Sequence, residues 1–355
     1  MFFIDKYVLN YSKNSKNFIF NQENINKIKI LSQDDRMPHM IFYGPEGSGR
    51  KTLINLLLEL TFDKTIHNMS DRVYNITSNS GSNNSITVQQ SNYHTVIEPN
   101  NNNFDKYMID IIKEYSKSMP LNIFKTNKPF RIVVINNIDH MSYYAQTSLR
   151  RTMEVYSDTC RFVMWCESLS KVIEPLKSRS YLFKVAAPSD ESIFENLLNI
   201  SFQENLNLKL QDYIKIVNLS NNNIKKSLWL LQLKALNMSY YTNYDKCIKH
   251  IVKKICHQDI ADILNIRALL YTITVSNITG VQILKDVLRN LLLKSRFNFD
   301  IKRDFIEIAA RCEYNLTKGR REIIHIEKFI INVINVISQK YKEKIKIKVK
   351  EKIKT

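Results

Sequence analysis

Nine residues, Gly44-Pro45-Glu46-Gly47-Ser48-Gly49-Arg50-Lys51-Thr52, carry the spacing of a phosphate-binding loop with two of its chemical groups exchanged. In GxxxxGK[ST], main-chain N–H groups cradle the phosphates, a lysine reaches the β/γ-phosphates and a hydroxyl holds Mg²⁺. Here Arg50 stands in the lysine slot and Lys51 in the hydroxyl slot. Sliding the frame by one residue does not repair the motif, because Lys51-Thr52 would then need glycine at position 50. A cation in the metal-ligand slot repels the ion that neutralises charge during phosphoryl transfer. The loop therefore reads as able to hold ATP or ADP and poorly suited to cutting it, with Mg²⁺ disfavoured.

A second site departs in the same direction. Arg131-Ile132-Val133-Val134-Ile135 is a short β-branched run of the kind that forms a buried parallel strand. A Walker B strand ends in Asp for the metal and Glu for the attacking water. This chain has Asn136-Asn137-Ile138-Asp139 there. Amides are neutral and cannot serve as general bases near pH 7.

The elements around these motifs divide the chain. Apolar strands around Ile41–Tyr43, Val96, Ile132–Ile135, Phe162–Trp165 and Tyr181–Val185 alternate with helical stretches. That pattern predicts an α/β module with a parallel sheet covered on both faces, over residues 1–187. Polar runs at 78–85 and 100–103 read as loops. Pro188-Ser189 predicts a helix start and a small helical lid over 188–243. From 244 to 339 the apolar stripes, such as Leu284, Leu288, Leu291 and Leu292, are helical throughout. Residues 340–355 alternate lysine with Ile or Val and read as a basic, disordered tail.

Composition narrows the class. The chain has 355 residues, 44% of them hydrophobic, and a formal net charge of +18, which suits a polyanionic partner such as nucleic acid. Part of the excess follows from a composition rich in Lys, Asn and Ile, the residues of AT-rich codons. No apolar run approaches the ~18 residues that span a bilayer, so no membrane partner is expected. The N-terminus is charged too early for a signal peptide. Five scattered cysteines lack metal-site spacing and read as reduced thiols.

Motif order supplies a family resemblance. Asn136–Asp139 is followed by Ala145-Gln146-Thr147-Ser148-Leu149-Arg150-Arg151-Thr152-Met153-Glu154, then by Ser170-Lys171-Val172-Ile173-Glu174-Pro175-Leu176-Lys177-Ser178-Arg179-Ser180. With Asp5-Lys6-Tyr7, Pro38-His39 and Ser91-Asn92-Tyr93-His94, the chain resembles the AAA+ small subunits of replication factor C, the eukaryotic clamp loader. Within the family it is most similar to the type called subunit 3 in animals and subunit 5 in budding yeast. The similarity runs from about residue 3 to about residue 337.

The resemblance implies a P-loop AAA+ module, a lid and an all-α collar in a hetero-oligomer with other replication factor C subunits. The complex would load a PCNA-type sliding clamp onto primer–template DNA. It implies a nucleotide site of Tyr7, Gly44 to Thr52 (Gly44, Pro45, Glu46, Gly47, Ser48, Gly49, Arg50, Lys51, Thr52) and Lys225 in the sensor-2 slot. Arg179, in Ser178-Arg179-Ser180, takes the place of the arginine finger offered to a neighbour's ATP; the family's cysteine is replaced by Ser180. Glu167 stands where the family has the sensor-1 asparagine, another departure from an active ATPase. DNA contacts are implied at Lys106, Ser142 and Lys171, and clamp contacts at Leu121, Ile123 and Phe124, which the bare sequence reads equally well as core. No metal ligands are expected. The implied compartment is the nucleus, or a viral replication compartment in host cytoplasm, since the codon bias also suits a giant virus. Two alternatives stay open: an active ATPase using Asp139 as metal carboxylate, and a structural collar subunit without nucleotide.

Overall fold

A computed structural model describes residues 2–7, 20–62, 64–77, 83–99, 105–117, 128–257, 261–276, 278–319 and 321–354. The chain forms two compact units, Met1–Met238 and Ser239–Thr355. Unit one holds both the sheet and the helices expected as a lid. Unit two is helical.

The sheet has seven strands: β1 (His39–Tyr43), β2 (Ser70–Thr77), β3 (Asn83–Gln90), β4 (His94–Ile97), β5 (Arg131–Ile135), β6 (Cys160–Cys166) and β7 (Ser180–Lys184), in the order β2-β3-β4-β5-β6-β1-β7. Strands β4, β5, β6, β1 and β7 run parallel, with Met40 opposite Val163 and Tyr181. Strand β1 thus lies between two strands that follow it in sequence. This is a topological switch point, and such sheets bind ligands beyond the carboxyl ends of the strands there.

Every residue of β5 is buried. Alternation sends Val133 and Ile135 to one face and Ile132 and Val134 to the other. The first face packs on α3 (Asp105–Lys117) and α4 (Tyr143–Val155). The second packs on α1 (Gln22–Gln33) and α2 (Arg50–Thr61), where Phe42 stacks on Phe183 with ring centroids 4.8 Å apart. The two-sided parallel sheet is therefore as expected.

Strands β2 and β3, which pair antiparallel, are not legible in the sequence; β3 starts at Asn83, inside the run read as loop. Their apolar positions are sparse, and Val73 is exposed. Pairing, rather than burial, defines this ribbon.

After the single-turn helix α5 (Glu174–Lys177) and β7, three helices follow: α6 (Asp190–Gln203), α7 (Leu210–Ser220) and α8 (Ile224–Ala235). Ser189 caps α6 by accepting from the Ser192 N–H. Unit two packs α9 (Asn243–His257), α10 (Ala261–Val275), α11 (Gly280–Leu292), α12 (Phe299–Lys318) and α13 (Glu322–Lys354) around Phe305 and Phe329. Helix α13 runs on through the segment from 340 that the sequence reads as a disordered tail. Lysine and glutamate are good helix formers, so a helix already nucleated at Glu322 continues through such a run at little cost. No helix among the described residues is long and apolar enough to cross a membrane.

One buried histidine, His94, and one half-buried, His39, make the first unit acid-sensitive. Burial, with the nearby charge of His67, lowers His94 to about 4. Burial, with Arg161, lowers His39 to about 4. His94 Nδ1 lies 2.7 Å from Ser91 Oγ, and His39 Nδ1 accepts the Phe162 N–H at 3.1 Å. Both must protonate on unfolding at low pH. The unfolded chain, with histidines near 6.5, binds more protons between the two values. Stability is thus complete above about pH 6.5 and lost as pH falls toward 4, by on the order of 3 kcal/mol for His94. Urea midpoints measured from pH 7 to 4 should fall, and the fall should be shallower in His94→Asn. Parallel profiles for the two proteins would remove this role.

Candidate functional site

The loop after β1 sits at the switch point, and its glycines are there for shape. Gly47 and Gly49 have φ of +74° and +92°, a region that L side chains rarely occupy. A Cβ on Gly44 would fall 2.1 Å from the Val185 carbonyl oxygen, and one on Gly47 would fall 2.1 Å from Asn223 Oδ1. The lid therefore closes directly on the loop. The Ile224 N–H donates to the Gly47 carbonyl at 3.3 Å, and Asn223 caps α8 by accepting from the Lys226 N–H. Lys225 lies in the first turn of α8, exposed, beside this contact.

Arg50, expected on the phosphates, is folded under the loop. Its side chain is only 6% exposed. One guanidinium nitrogen donates to the Cys166 carbonyl at 2.6 Å, the other lies 3.4 Å from Glu167 Oε1, and the group stacks over the Trp165 ring at 4.6 Å. Trp165 Nε1–H in turn donates to Asn136 Oδ1 at 2.8 Å. The amide in the metal-carboxylate position is thus tied to the residue in the lysine position through one indole ring. Trp165 belongs to this site, and the sequence reading missed it. Its signal was an aromatic one residue before the end of β6.

The other expected groups divide. Asp139 is buried; its Oδ2 accepts the Glu167 N–H at 3.3 Å, while Oδ1 has no hydrogen-bond partner. Burial and then the Asp139 carboxylate push the Cys166 thiol up to about 12, so it stays protonated. Ser48 Oγ is also buried without a partner. Lys51 is exposed at the start of α2. Tyr7 is buried, and its hydroxyl donates to Glu204 at the end of α6; Lys6 pairs with the same carboxylate. These two bonds hold Glu204 below the usual carboxylate range. Phe3 N–H also donates to Gln232 of α8 at 3.1 Å. The N-terminal turn at 3–7 is therefore tied to the lid.

The fit to a nucleotide is mixed. The positive-φ glycines and the free N–H groups of the first turn of α2 suit phosphate oxygens. Mg²⁺ fits poorly, because the slot that supplies its hydroxyl ligand holds the cation Lys51 and the first carboxylate position holds the neutral Asn136.

Arg179 lies in the turn between α5 and β7. Its Nε pairs with Glu154 Oε1 at 2.8 Å and one terminal nitrogen donates to the Pro175 carbonyl at 3.0 Å. The remaining edge of the fork is left to solvent, with the side chain 40% exposed. Ser142 and Lys171 come together. Asp105 Oδ2, at the start of α3, accepts the Ser142 N–H at 2.8 Å, and Gln146 Nε2 donates to the Lys171 carbonyl at 3.1 Å. Lys106 lies in the first turn of α3, so the starts of α3 and α4 are neighbours. Leu121, Ile123 and Phe124 lie outside the described residues.

Comparison with known proteins supplies the family. Residues 20–189 match the family model described as DNA polymerase III, delta subunit, and residues 244–341 match that of the replication factor C subunit 3 C-terminal domain. A putative replication factor C small subunit of Acanthamoeba polyphaga mimivirus is 39% identical over 94% of this chain and 90% of its own length. Replication factor C subunit 5 of rice is 31% identical, covering 89% and 91% of the two chains. The subunit 5 of Saccharomyces cerevisiae is also 31% identical, covering 88% and 94%.

The Arg50 contacts make a prediction independent of nucleotide. Arg50→Ala leaves the Cys166 carbonyl with only the long 3.4 Å bond from the Gly44 N–H and uncovers Trp165, so it should destabilise the nucleotide-free protein by about 2 kcal/mol. Thermal melts without nucleotide measure this. An unchanged melting temperature would mean that the guanidinium is not part of the core.

Proposed function

Since the chain belongs to the replication factor C small-subunit family, we propose that it is the non-catalytic member of a clamp loader acting in DNA replication. In this reading it holds ATP or ADP without hydrolysing it and supplies Arg179 to the ATP of an adjacent subunit. The assembled ring loads a PCNA-type clamp onto primer–template DNA, in the nucleus or in a viral replication compartment.

One observation carries the reading: the residues in the phosphate-binding and metal-carboxylate positions, Arg50 and Asn136, are engaged internally. Asn136 accepts from Trp165, Arg50 is buried against β6, and no carboxylate replaces Asn137. Asp139, the metal carboxylate of the active-site alternative, is buried, with Oδ2 accepting the Glu167 N–H and Oδ1 unpaired. Lys51 opposes a metal ion in the slot where one is needed. Phosphates would be held by main-chain N–H groups of the loop and by the start of α8 with Lys225. Tyr7 would act through the lid it is bound to. The nucleotide, if bound, supplies an anionic brace between loop and lid.

Arg179 keeps what a trans-acting group needs. Its Nε is held by Glu154 and one nitrogen by the Pro175 carbonyl, which orients the planar fork and leaves its outer edge open. Arginine suits this task because two parallel donors match two phosphate oxygens. Lys106, Ser142 and Lys171 would line the DNA path, and the stretch containing Leu121, Ile123 and Phe124 would face the clamp.

Purified alone, the chain should hydrolyse ATP at background rate. Asn136→Asp with Asn137→Glu should not rescue it, because Lys51 and the withdrawn Arg50 remain. In the assembled complex, Arg179→Ala should leave this chain's nucleotide binding intact and cost ~10³-fold at one neighbouring site. Turnover by the pure chain, or clamp loading unchanged by Arg179→Ala, would overturn the assignment.

A further inference from the structure

The outer face of α4 carries chemistry that neither the nucleotide loop nor Arg179 uses. Tyr143 and Tyr144, its first two residues, are 69% and 84% exposed. Their rings meet edge to face, with centroids 6.2 Å apart and planes at 81°, an arrangement that leaves ring faces open to solvent. The tyrosines cannot turn inward, because Ala145, Gln146, Leu149, Thr152 and Met153 form the buried side of the same helix.

From Tyr144 the exposed stripe continues through Thr147, Ser148 and Arg151, at helical spacings of three, four and seven. One carboxylate, Glu154, lies at its far end, three residues after Arg151. It is neutralised by Arg179 and Arg150, at 2.8 and 3.9 Å. Exposed Lys171 is fixed beside this helix through the bond from Gln146 to its carbonyl. A surface for another protein's apolar side chains would flank two tyrosines with aliphatic groups. Here their neighbours are hydroxyls and cations, on a chain of net charge +18. Flat aromatic faces beside hydroxyl and guanidinium donors suit a single nucleic-acid strand: every base offers a π-face, and phosphates accept from the polar groups.

We propose that Tyr143 and Tyr144 form a stacking platform for unpaired bases of a nucleic-acid strand whose phosphates follow Ser148 and Arg151, the Thr147 hydroxyl being already donated to the Tyr143 carbonyl at 2.9 Å. The inference rests on the DNA reading above and deepens it, adding base contact to a path otherwise read as phosphate contact alone.

Two labelled oligomers of equal length separate the possibilities: an oligothymidylate and a strand of abasic sites with the same phosphates. Anisotropy titrations of the full chain should show the oligothymidylate bound roughly 10-fold more tightly. Tyr143→Ala with Tyr144→Ala should abolish that preference while leaving the salt dependence unaltered. The corresponding double phenylalanine variant should retain it. Arg151→Ala should weaken both oligomers equally and flatten the salt dependence. Equal wild-type affinity for the two oligomers would overturn the platform and leave phosphate binding standing, as would a preference that survives the double alanine variant. Failure to bind either strand would overturn the DNA reading and the platform together.

Discussion

The guanidinium of Arg50 against the carboxyl end of β6 is the contact on which the nucleotide site depends. Strand order places β1 beside β6, so the loop leaving β1 must cross the end of its neighbour. The main-chain carbonyl of Cys166 meets it there, accepting from Arg50 and from the Gly44 N–H. A lysine has no planar face to lay on Trp165 and cannot donate to two acceptors in a fixed fork. Arginine does both, and the indole then fixes Asn136. The loop is thereby held in shape by side chains of the protein itself, which removes one reason for a strong phosphate ligand.

This arrangement separates two properties that a working ATPase combines. Loop geometry survives in Gly44, Gly47 and Gly49, and the lid still closes on the loop through Asn223 and Ile224. At the positions for metal binding and water activation stand Lys51, Asn136 and Asn137. Meanwhile Arg179 sits at the surface on a rigid turn, oriented by Glu154. In the proposed reading the chain forgoes its own turnover and serves its neighbour, because the two tasks use different residues of the same module.

Much of this was legible in the sequence because glycine spacing and β-branched runs map directly onto backbone geometry. The loop, the buried strand Arg131–Ile135, the lid start at Ser189 and the apolar stripes of the second unit all follow from local pattern. Side-chain direction was not legible. Nothing local says that Arg50 turns inward, since that depends on Trp165, which lies more than a hundred residues away and meets the loop only through strand order. The same holds for Tyr7, whose hydroxyl finds Glu204 across the lid. The β2–β3 ribbon escaped notice because its apolar residues are interspersed among polar ones and its start falls in a polar run, so pairing is what reveals it as a sheet. The tyrosines of α4 were visible as letters, but their exposure emerges only when the opposite face is packed.

The central claim is that hydrolysis is absent on this chain and assisted by it on a neighbour. Photocrosslinking an ATP analogue labelled on its α-phosphate within the assembled, DNA-stimulated complex tests both halves at once. The subunits are then separated and the ratio of triphosphate to diphosphate is read on each. The account predicts that nucleotide captured on this chain remains as supplied. On the adjacent subunit it should convert rapidly in the wild type and slowly with Arg179→Ala. Rapid conversion on this chain, or conversion on the neighbour indifferent to Arg179, would contradict it.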